Sequence, residues 1–113
     1  DFQWVALAEG DPVGLCYTSG TTGNPKGVLY EHRSNVIHAI TEIQPDVFDL
    51  SNRSVILPVV PMFHANSWGI PFAAATVGAK LVFSMTNEAA VLWQLIRDEG
   101  VTHSAGVPTV WIA

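Results

Sequence analysis

Short, unbroken apolar runs alternate along this chain with segments whose hydrophobic residues recur every three or four positions. A strand with one solvent-exposed face alternates polar and apolar residues, and these runs lack that alternation. They therefore favour strands that are covered on both faces of the sheet. Such runs, joined to helical segments by short connections, are typical of an α/β fold with a largely parallel sheet and flanking helices. We predict strands over residues 13–18, 26–30, 54–60, 79–83 and 101–107.

The helical segments carry their own end signals. We predict helices over residues 33–43, 65–77 and 88–99, and a further helix that begins at Pro108. Ser34 or Asn35 is the expected N-cap of the first helix. Pro71 is tolerated near the first turns of the second helix, and Gly100 is the expected stop of the third. The apolar positions that support the first and third helices are Val36, Ile37, Ile40 and Ile43, and Val91, Leu92, Leu95 and Ile96.

The composition bounds the size of the folding unit. Hydrophobic residues make up 49% of the 113 residues and charged residues 13%, about half of the ~25% usual in soluble domains. A small independent domain has a high surface-to-volume ratio and should be more polar than a large one. We therefore interpret residues 1–113 as part of a larger domain.

The charge pattern and the cysteine count exclude several functional classes. The formal net charge is −5, and the five basic residues form no cluster, which argues against a nucleic-acid-binding surface or a polybasic membrane patch. Cys16 is the only cysteine, so the chain forms no internal disulfide. The most apolar stretch, 68–83, is interrupted by Pro71, Gly78 and Lys80 and offers no ~18-residue membrane span. These observations favour a cytoplasmic protein.

Residues 17–27 combine glycine, hydroxyl residues and a lysine between the first two predicted strands. Glycine allows amide N–H groups to converge on an anion, hydroxyl groups donate to phosphate oxygens or bind a metal ion, and lysine adds positive charge. An ordinary polar hairpin loop is the alternative, but it needs neither four hydroxyl groups nor a terminal lysine. Neither a Walker A loop nor a G-x-G-x-x-G fingerprint is present. The segment is a candidate polyphosphate cradle, made of Thr18, Ser19, Gly20, Thr21, Thr22, Gly23, Lys26 and Gly27.

The run from Thr18 to Gly27 resembles the AMP-binding signature of the adenylate-forming superfamily, without gaps. The block from Pro61 to Gly69 is similar to the next motif of that superfamily, in the form found in medium- and long-chain fatty acyl-CoA synthetases. The resemblance extends from Gly14 to the end of the chain. It implies that residues 1–113 are a partial N-terminal AMP-binding domain, with the C-terminal domain absent.

The resemblance implies a two-step ligase reaction. A fatty acid reacts with ATP to give an acyl-adenylate and pyrophosphate, and the acyl group then passes to coenzyme A. By the same resemblance, the loop residues Thr18, Ser19, Gly20, Thr21, Thr22, Gly23 and Lys26 hold phosphate groups, and the Thr18 hydroxyl is linked to Mg²⁺. Lys26 and His64 are the implied catalytic residues. The resemblance also implies that Ala65 lies near the nucleotide, and we hypothesise that Trp68 closes the acyl tunnel until ATP binds.

Other interpretations stay open at this point. Without the resemblance, His64 and Trp68, four positions apart, would be taken as core or interface residues of a helix. The substrate of a ligase could be a short sulfur-containing or aromatic acid, and a non-catalytic nucleotide-binding remnant is the alternative outside enzymes. We expect the isolated segment to be inactive, because the family's adenine, ribose and catalytic-lysine motifs come later. A homodimer and peripheral membrane contact also stay open.

Overall fold

The computed structural model describes residues 1–19 and 23–112, which form an α/β arrangement as predicted. Its elements group into a two-stranded antiparallel sheet, a three-stranded parallel sheet and flanking helices. In chain order they are β1 (Pro12–Thr18), β2 (Lys26–Glu31), α1 (His32–Glu42), β3 (Val55–Pro58), α2 (Ala65–Trp68), α3 (Ile70–Val77), β4 (Lys80–Leu81), α4 (Ala89–Glu99), β5 (His103–Ala105) and α5 (Pro108–Trp111). No helix in residues 1–19 and 23–112 is both long and apolar enough to cross a lipid bilayer.

The antiparallel sheet is a hairpin formed by β1 and β2, which correspond to the first two predicted strands. Cys16 pairs with Val28 and Thr18 pairs with Lys26, so the two ends of the glycine-rich segment leave the sheet side by side. The register is irregular between Pro12 and Gly14. The hairpin therefore holds the start and the end of the candidate phosphate loop at one edge.

The parallel sheet has the order β4-β3-β5, with β3 in the centre. Ile56 pairs with Leu81 on one side and with His103 on the other. The strands are shorter than predicted because pairing ends after Pro58, where the N–H groups of Val59 and Val60 both donate to the Ala105 carbonyl, at 2.8 and 3.2 Å.

Successive residues of β3 enter two different hydrophobic clusters. Ile56 belongs to the cluster formed with α1 and α3, whereas Leu57, which is 0% exposed, packs with Val82 and Leu92 of the α4 side. Because neighbouring side chains of a strand point to opposite faces, this sheet is covered on both faces. The continuous apolar pattern of the strand is thereby explained.

The first helix differs from its prediction at its start and in its buried face. Its N-cap is Glu31 rather than Ser34 or Asn35, and Ser34 is the third helical residue, whose hydroxyl accepts from the Glu31 N–H at 3.2 Å. The N–H groups of His32 and Arg33 donate to the carbonyls of Asp11 and Glu9, before β1, and the side chains of Glu31 and Ser34 form a capping box. The helix buries Ala39 and Glu42, while Val36, Ile37 and Ile40 are exposed.

The predicted helix over residues 65–77 is interrupted at Gly69. Only α3, which begins at Ile70 and carries Pro71 in its first turn, is a right-handed helix. Residues of α2 have positive φ angles, and Gly69 has φ +81°. The hydrophobic pattern of 65–77 is compatible with a helix, but it does not report the hand of the backbone. The predicted stop at Gly100 is confirmed, with φ +66°.

Candidate functional site

The segment that follows His64 is a left-handed helical turn built without glycine. Ala65, Asn66, Ser67 and Trp68 have φ angles of +47°, +53°, +56° and +56°. Each such residue costs roughly 1–2 kcal/mol, because its Cβ approaches a carbonyl oxygen. Strain of this size persists only where the surrounding structure holds it, and it concentrates at functional sites.

Two contacts hold the end of this turn. The Ser67 side chain is fully buried, and its hydroxyl donates a 2.6 Å hydrogen bond to the Val60 carbonyl. Gly69 is buried against α1, where a Cβ would lie 2.6 Å from His38 Nδ1. Position 69 therefore requires glycine for both its positive φ and this close approach. Trp68 is half-buried and packs against the Ile56 cluster.

The turn and the hairpin enclose a first cavity of about 290 Å³. It brings Thr18 and Ser19, at the end of β1, together with His64 and Ala65, at the start of the turn. Cys16, Tyr17, Val28, Tyr30 and Phe63 complete the lining. The structure thus brings together four predicted site residues from two segments that lie far apart in the sequence.

A second cavity, of about 340 Å³, lies on the other side of the same turn. Ala65 and Trp68 line it together with Tyr30 and His38, and its remaining lining residues are Ser34, Asn35, Asn66 and Gly69. Tyr30 and Ala65 line both cavities. The two cavities therefore both adjoin this pair, with the predicted phosphate side in one and the predicted acyl side in the other.

The glycine-rich loop is described only at its two ends. Gly20, Thr21 and Thr22 were predicted to hold phosphate, and they lie outside the described residues. Gly23 has φ +110°, and a Cβ there would meet nothing within 4 Å, so this end of the loop is open. Lys26, the first residue of β2, is exposed and lines neither cavity as the described residues define them.

The Thr18 hydroxyl could serve as one oxygen ligand of Mg²⁺, but it does not form a complete metal site by itself. Thr18 is exposed, and its hydroxyl makes only a long hydrogen bond, 3.5 Å, to the Lys26 carbonyl. In the part of the chain that the structure describes, no three His, Cys, Asp or Glu side chains form a metal-binding group. Mg²⁺ usually keeps several waters and binds substrate phosphates, so a single hydroxyl suits a supporting ligand rather than a complete site.

Glu42 is a residue of this region that the sequence analysis missed. Its side chain is buried, and its Oε2 has no hydrogen-bond partner among the described residues, although His38 Nδ1 lies 3.4 Å away. Burial raises the pKa of this carboxyl from 4.5 to about 7. The available signal was the spacing of Glu42 from Ala39, three positions earlier, but a glutamate on a helix ordinarily faces water.

Comparison with known proteins places this geometry in a defined class. Residues 2–113 match the model of the AMP-binding enzyme family, and the chain belongs to that family. It is 55% identical to the medium-chain-fatty-acid–CoA ligase of Ectopseudomonas oleovorans over 98% of this chain and 20% of that protein. It is 49% identical to the 3-methylmercaptopropionyl-CoA ligase of Ruegeria lacuscaerulensis over 98% of this chain and 21% of that protein.

A solved structure agrees with the fold. The inhibitor-bound N-terminal domain of FACL13 from Mycobacterium tuberculosis superimposes with a TM-score of 0.86 at 32% identity, over 97% of this chain and 27% of that domain. The chain spans about a fifth of the length of the curated relatives it matches. The fold described above is therefore that of part of an N-terminal domain of an adenylate-forming enzyme.

The buried carboxyl of Glu42 predicts a specific pH dependence of stability. Because its folded pKa is about 7 and its ordinary value is 4.5, the native state binds more protons between these values, so the free energy of unfolding falls as pH rises through this window. Glu42→Gln should remove this fall and stabilise the protein at pH 8 by about 1–3 kcal/mol. Urea unfolding at pH 5 and pH 8 measures the effect.

Glu88→Gln is the matched control, because Glu88 is an exposed glutamate before α4. It should leave the change in the free energy of unfolding between pH 5 and pH 8 the same as in the wild type. The interpretation of Glu42 is wrong if Glu42→Gln shows the same pH difference as the wild type.

Proposed function

We propose that this chain is part of the large N-terminal domain of an enzyme that activates a fatty acid with ATP and transfers it to coenzyme A. The observation that carries the proposal is the pair of cavities that both adjoin Tyr30 and Ala65. Thr18 and Ser19 line one cavity, and Trp68 lines the other. An acid–nucleotide reaction needs such a junction between a phosphate side and an acyl side.

The first chemical step requires electrostatic stabilisation rather than proton abstraction. A carboxylic acid is already ionised at neutral pH, so it attacks the α-phosphorus of ATP without a general base. The obstacle is the approach of an anion to a polyanion, and negative charge then builds on the departing pyrophosphate. Preorganised hydroxyl groups, amide N–H groups and a lysine stabilise that charge. Thr18, Ser19 and Lys26 are the described residues that provide these groups.

His64 is proposed to act where the two substrates meet. It is exposed at the start of the strained turn and lines the first cavity with Thr18 and Ser19. Its imidazole can donate a hydrogen bond to a carboxylate or a phosphate oxygen. Ala65 follows it, and its small side chain lets a nucleotide pack against the turn. We assign His64 to orienting the carboxylate beside the α-phosphate.

Magnesium is the cation that we expect with ATP. When bound, it would neutralise charge on the phosphate oxygens. On this chain, the Thr18 hydroxyl is the described group that can hold it, with phosphate oxygens and waters as further ligands.

Trp68 is proposed to control access to the acyl side. Its indole is half-buried at the end of the left-handed turn, where it lines the second cavity and contacts the core. A rotation of this ring would change the room available to an acyl chain. We propose that it closes the acyl tunnel until ATP binds.

A second candidate acid has specific support. The relative from Ruegeria lacuscaerulensis is named for 3-methylmercaptopropionate and is 49% identical to this chain. A ligase of a short sulfur-containing acid is therefore the alternative within the same reaction class. A cytoplasmic location, peripheral membrane contact and a homodimer stay predictions.

The function is tested with the enzyme that contains this chain and a panel of acids. Straight-chain acids from C4 to C16 (roughly the span of short to long chains), 3-methylmercaptopropionate and benzoate are each incubated with ATP and Mg²⁺, with and without coenzyme A. We expect pyrophosphate release with the fatty acids and thioester formation only with coenzyme A. Preference for the sulfur-containing acid would favour the alternative, and no release with any acid would reject both.

Lys26→Ala tests the charge at the end of the phosphate loop. Loss of this cation should slow adenylate formation about tenfold or more, equivalent to ~1.4 kcal/mol. Acid-dependent pyrophosphate–ATP exchange measures it. Lys80→Ala is the control, because Lys80 is an exposed lysine of β4 whose Nζ contacts Glu99 at 2.6 Å. An unchanged exchange rate in Lys26→Ala would remove Lys26 from the proposed mechanism.

Trp68→Ala tests the control of the acyl side. Removing the indole enlarges the second cavity, so we expect the preferred chain length to shift toward longer acids, or the binding order of ATP and acid to relax. The ratio of kcat/KM values across the acid panel measures the shift. Trp93→Ala, which truncates an exposed tryptophan of α4, should leave that ratio unchanged. Identical profiles for Trp68→Ala and the wild type would contradict the gating role.

A further inference from the structure

We propose that Asn66 is a positioning residue, which ties the left-handed turn to strand β1 and so fixes the acyl-side residues relative to the phosphate loop. The inference rests on the function proposed above. It assigns a role to a side chain that belongs to neither the phosphate cradle nor the predicted catalytic set.

The tie is a contact between side chains fifty positions apart. Cys16 Sγ donates to Asn66 Oδ1 at 3.3 Å. Cys16 is 8% exposed in the middle of β1, and Asn66 is half-buried in the second position of the turn. A thiol is a weak donor, so the contact contributes chiefly by its position and its burial.

A second feature of β1 makes room for the same amide. A Cβ on Gly14 would lie 3.1 Å from Asn66 Nδ2. Gly14 and Cys16 are two positions apart on one strand and therefore face the same side of the sheet. The amide of Asn66 thus lies along β1, so close to position 14 that a larger residue there would have to displace it by a few tenths of an ångström.

The contact between Cys16 and Asn66 lies close in sequence to the predicted site residues on both segments. β1 ends at Thr18, two positions after Cys16, and Asn66 stands two positions from His64 and two from Trp68. A side chain anchored at the centre of the turn therefore sets both of its ends against the strand that leads into the loop. Asn is also one of the few residues whose side chain tolerates the left-handed backbone region.

Three variants separate the amide from the backbone conformation. Asn66→Gly keeps the tolerance of positive φ but removes the side chain, Asn66→Asp keeps the acceptor oxygen, and Asn52→Gly is a control at an exposed asparagine of a turn. Each is made in the enzyme that contains this chain. Steady-state kinetics with the preferred acid gives kcat and the KM for ATP, and urea unfolding gives stability.

A positioning role predicts a split between the kinetic constants. Asn66→Gly should lower kcat about tenfold while the KM for ATP changes less than about threefold, and Asn66→Asp should retain at least about a third of the wild-type kcat. Asn52→Gly should match the wild type. The proposal is overturned if Asn66→Gly keeps its kcat, if Asn66→Asp loses as much as Asn66→Gly, or if the loss in kcat disappears when stability is restored by lower temperature.

Alkylation of Cys16 supplies a readout independent of activity. Without the Asn66 side chain, iodoacetamide should modify Cys16 at least about threefold faster, as followed by peptide mass analysis, whereas Asn66→Asp should react like the wild type. An unchanged rate in Asn66→Gly would mean that the tie is absent in solution. If the wild type activates no acid, the proposed function fails, and the alkylation result still decides whether the tie exists.

Discussion

The geometry of this site depends on one backbone constraint, the four left-handed residues that precede Gly69. Such a turn is unfavourable on its own, so its shape exists only because contacts around it are fixed. Near its end, the Ser67 hydroxyl donates to the Val60 carbonyl, and the following Gly69 packs against α1. The conformation of His64 and Trp68 is therefore a property of the packed structure rather than of the local sequence.

The parallel sheet supplies the rigid frame that this constraint needs. Ile56 and Leu57 anchor β3 in clusters on both faces, so the strand cannot shift without disturbing two cores. The chain leaves β3 at Pro58 and reaches the turn within seven residues. Ligands in open α/β sheets bind beyond the carboxyl ends of strands, and the turn begins in that region. Secondary structure thus sets the location of the site, and tertiary contacts set its detail.

The sequence predicts those parts in which local pattern and packing agree. In α4, Leu92 is buried where the apolar spacing places it, and Gly100 ends the helix as expected. The pattern fails where long-range contacts decide. The Ala-Asn-Ser-Trp segment has helical spacing, but its hand is set by partners such as Val60 and Cys16. Glu42 likewise has the character of a surface residue, but it is buried where Gly69 approaches α1.

Electrostatics connects the buried carboxyl to the site. A net charge of −5 gives this chain an overall field that does not attract anions, so its local charges decide where an anion can approach. Lys26, the first residue of β2, supplies a positive charge at the end of the glycine-rich loop. Glu42 lies against Gly69, which lines the second cavity. Its pKa of about 7 leaves the carboxyl substantially protonated at neutral pH. Burial therefore reduces the negative charge beside the second cavity, which His38 also lines, with its Nδ1 3.4 Å from Glu42 Oε2.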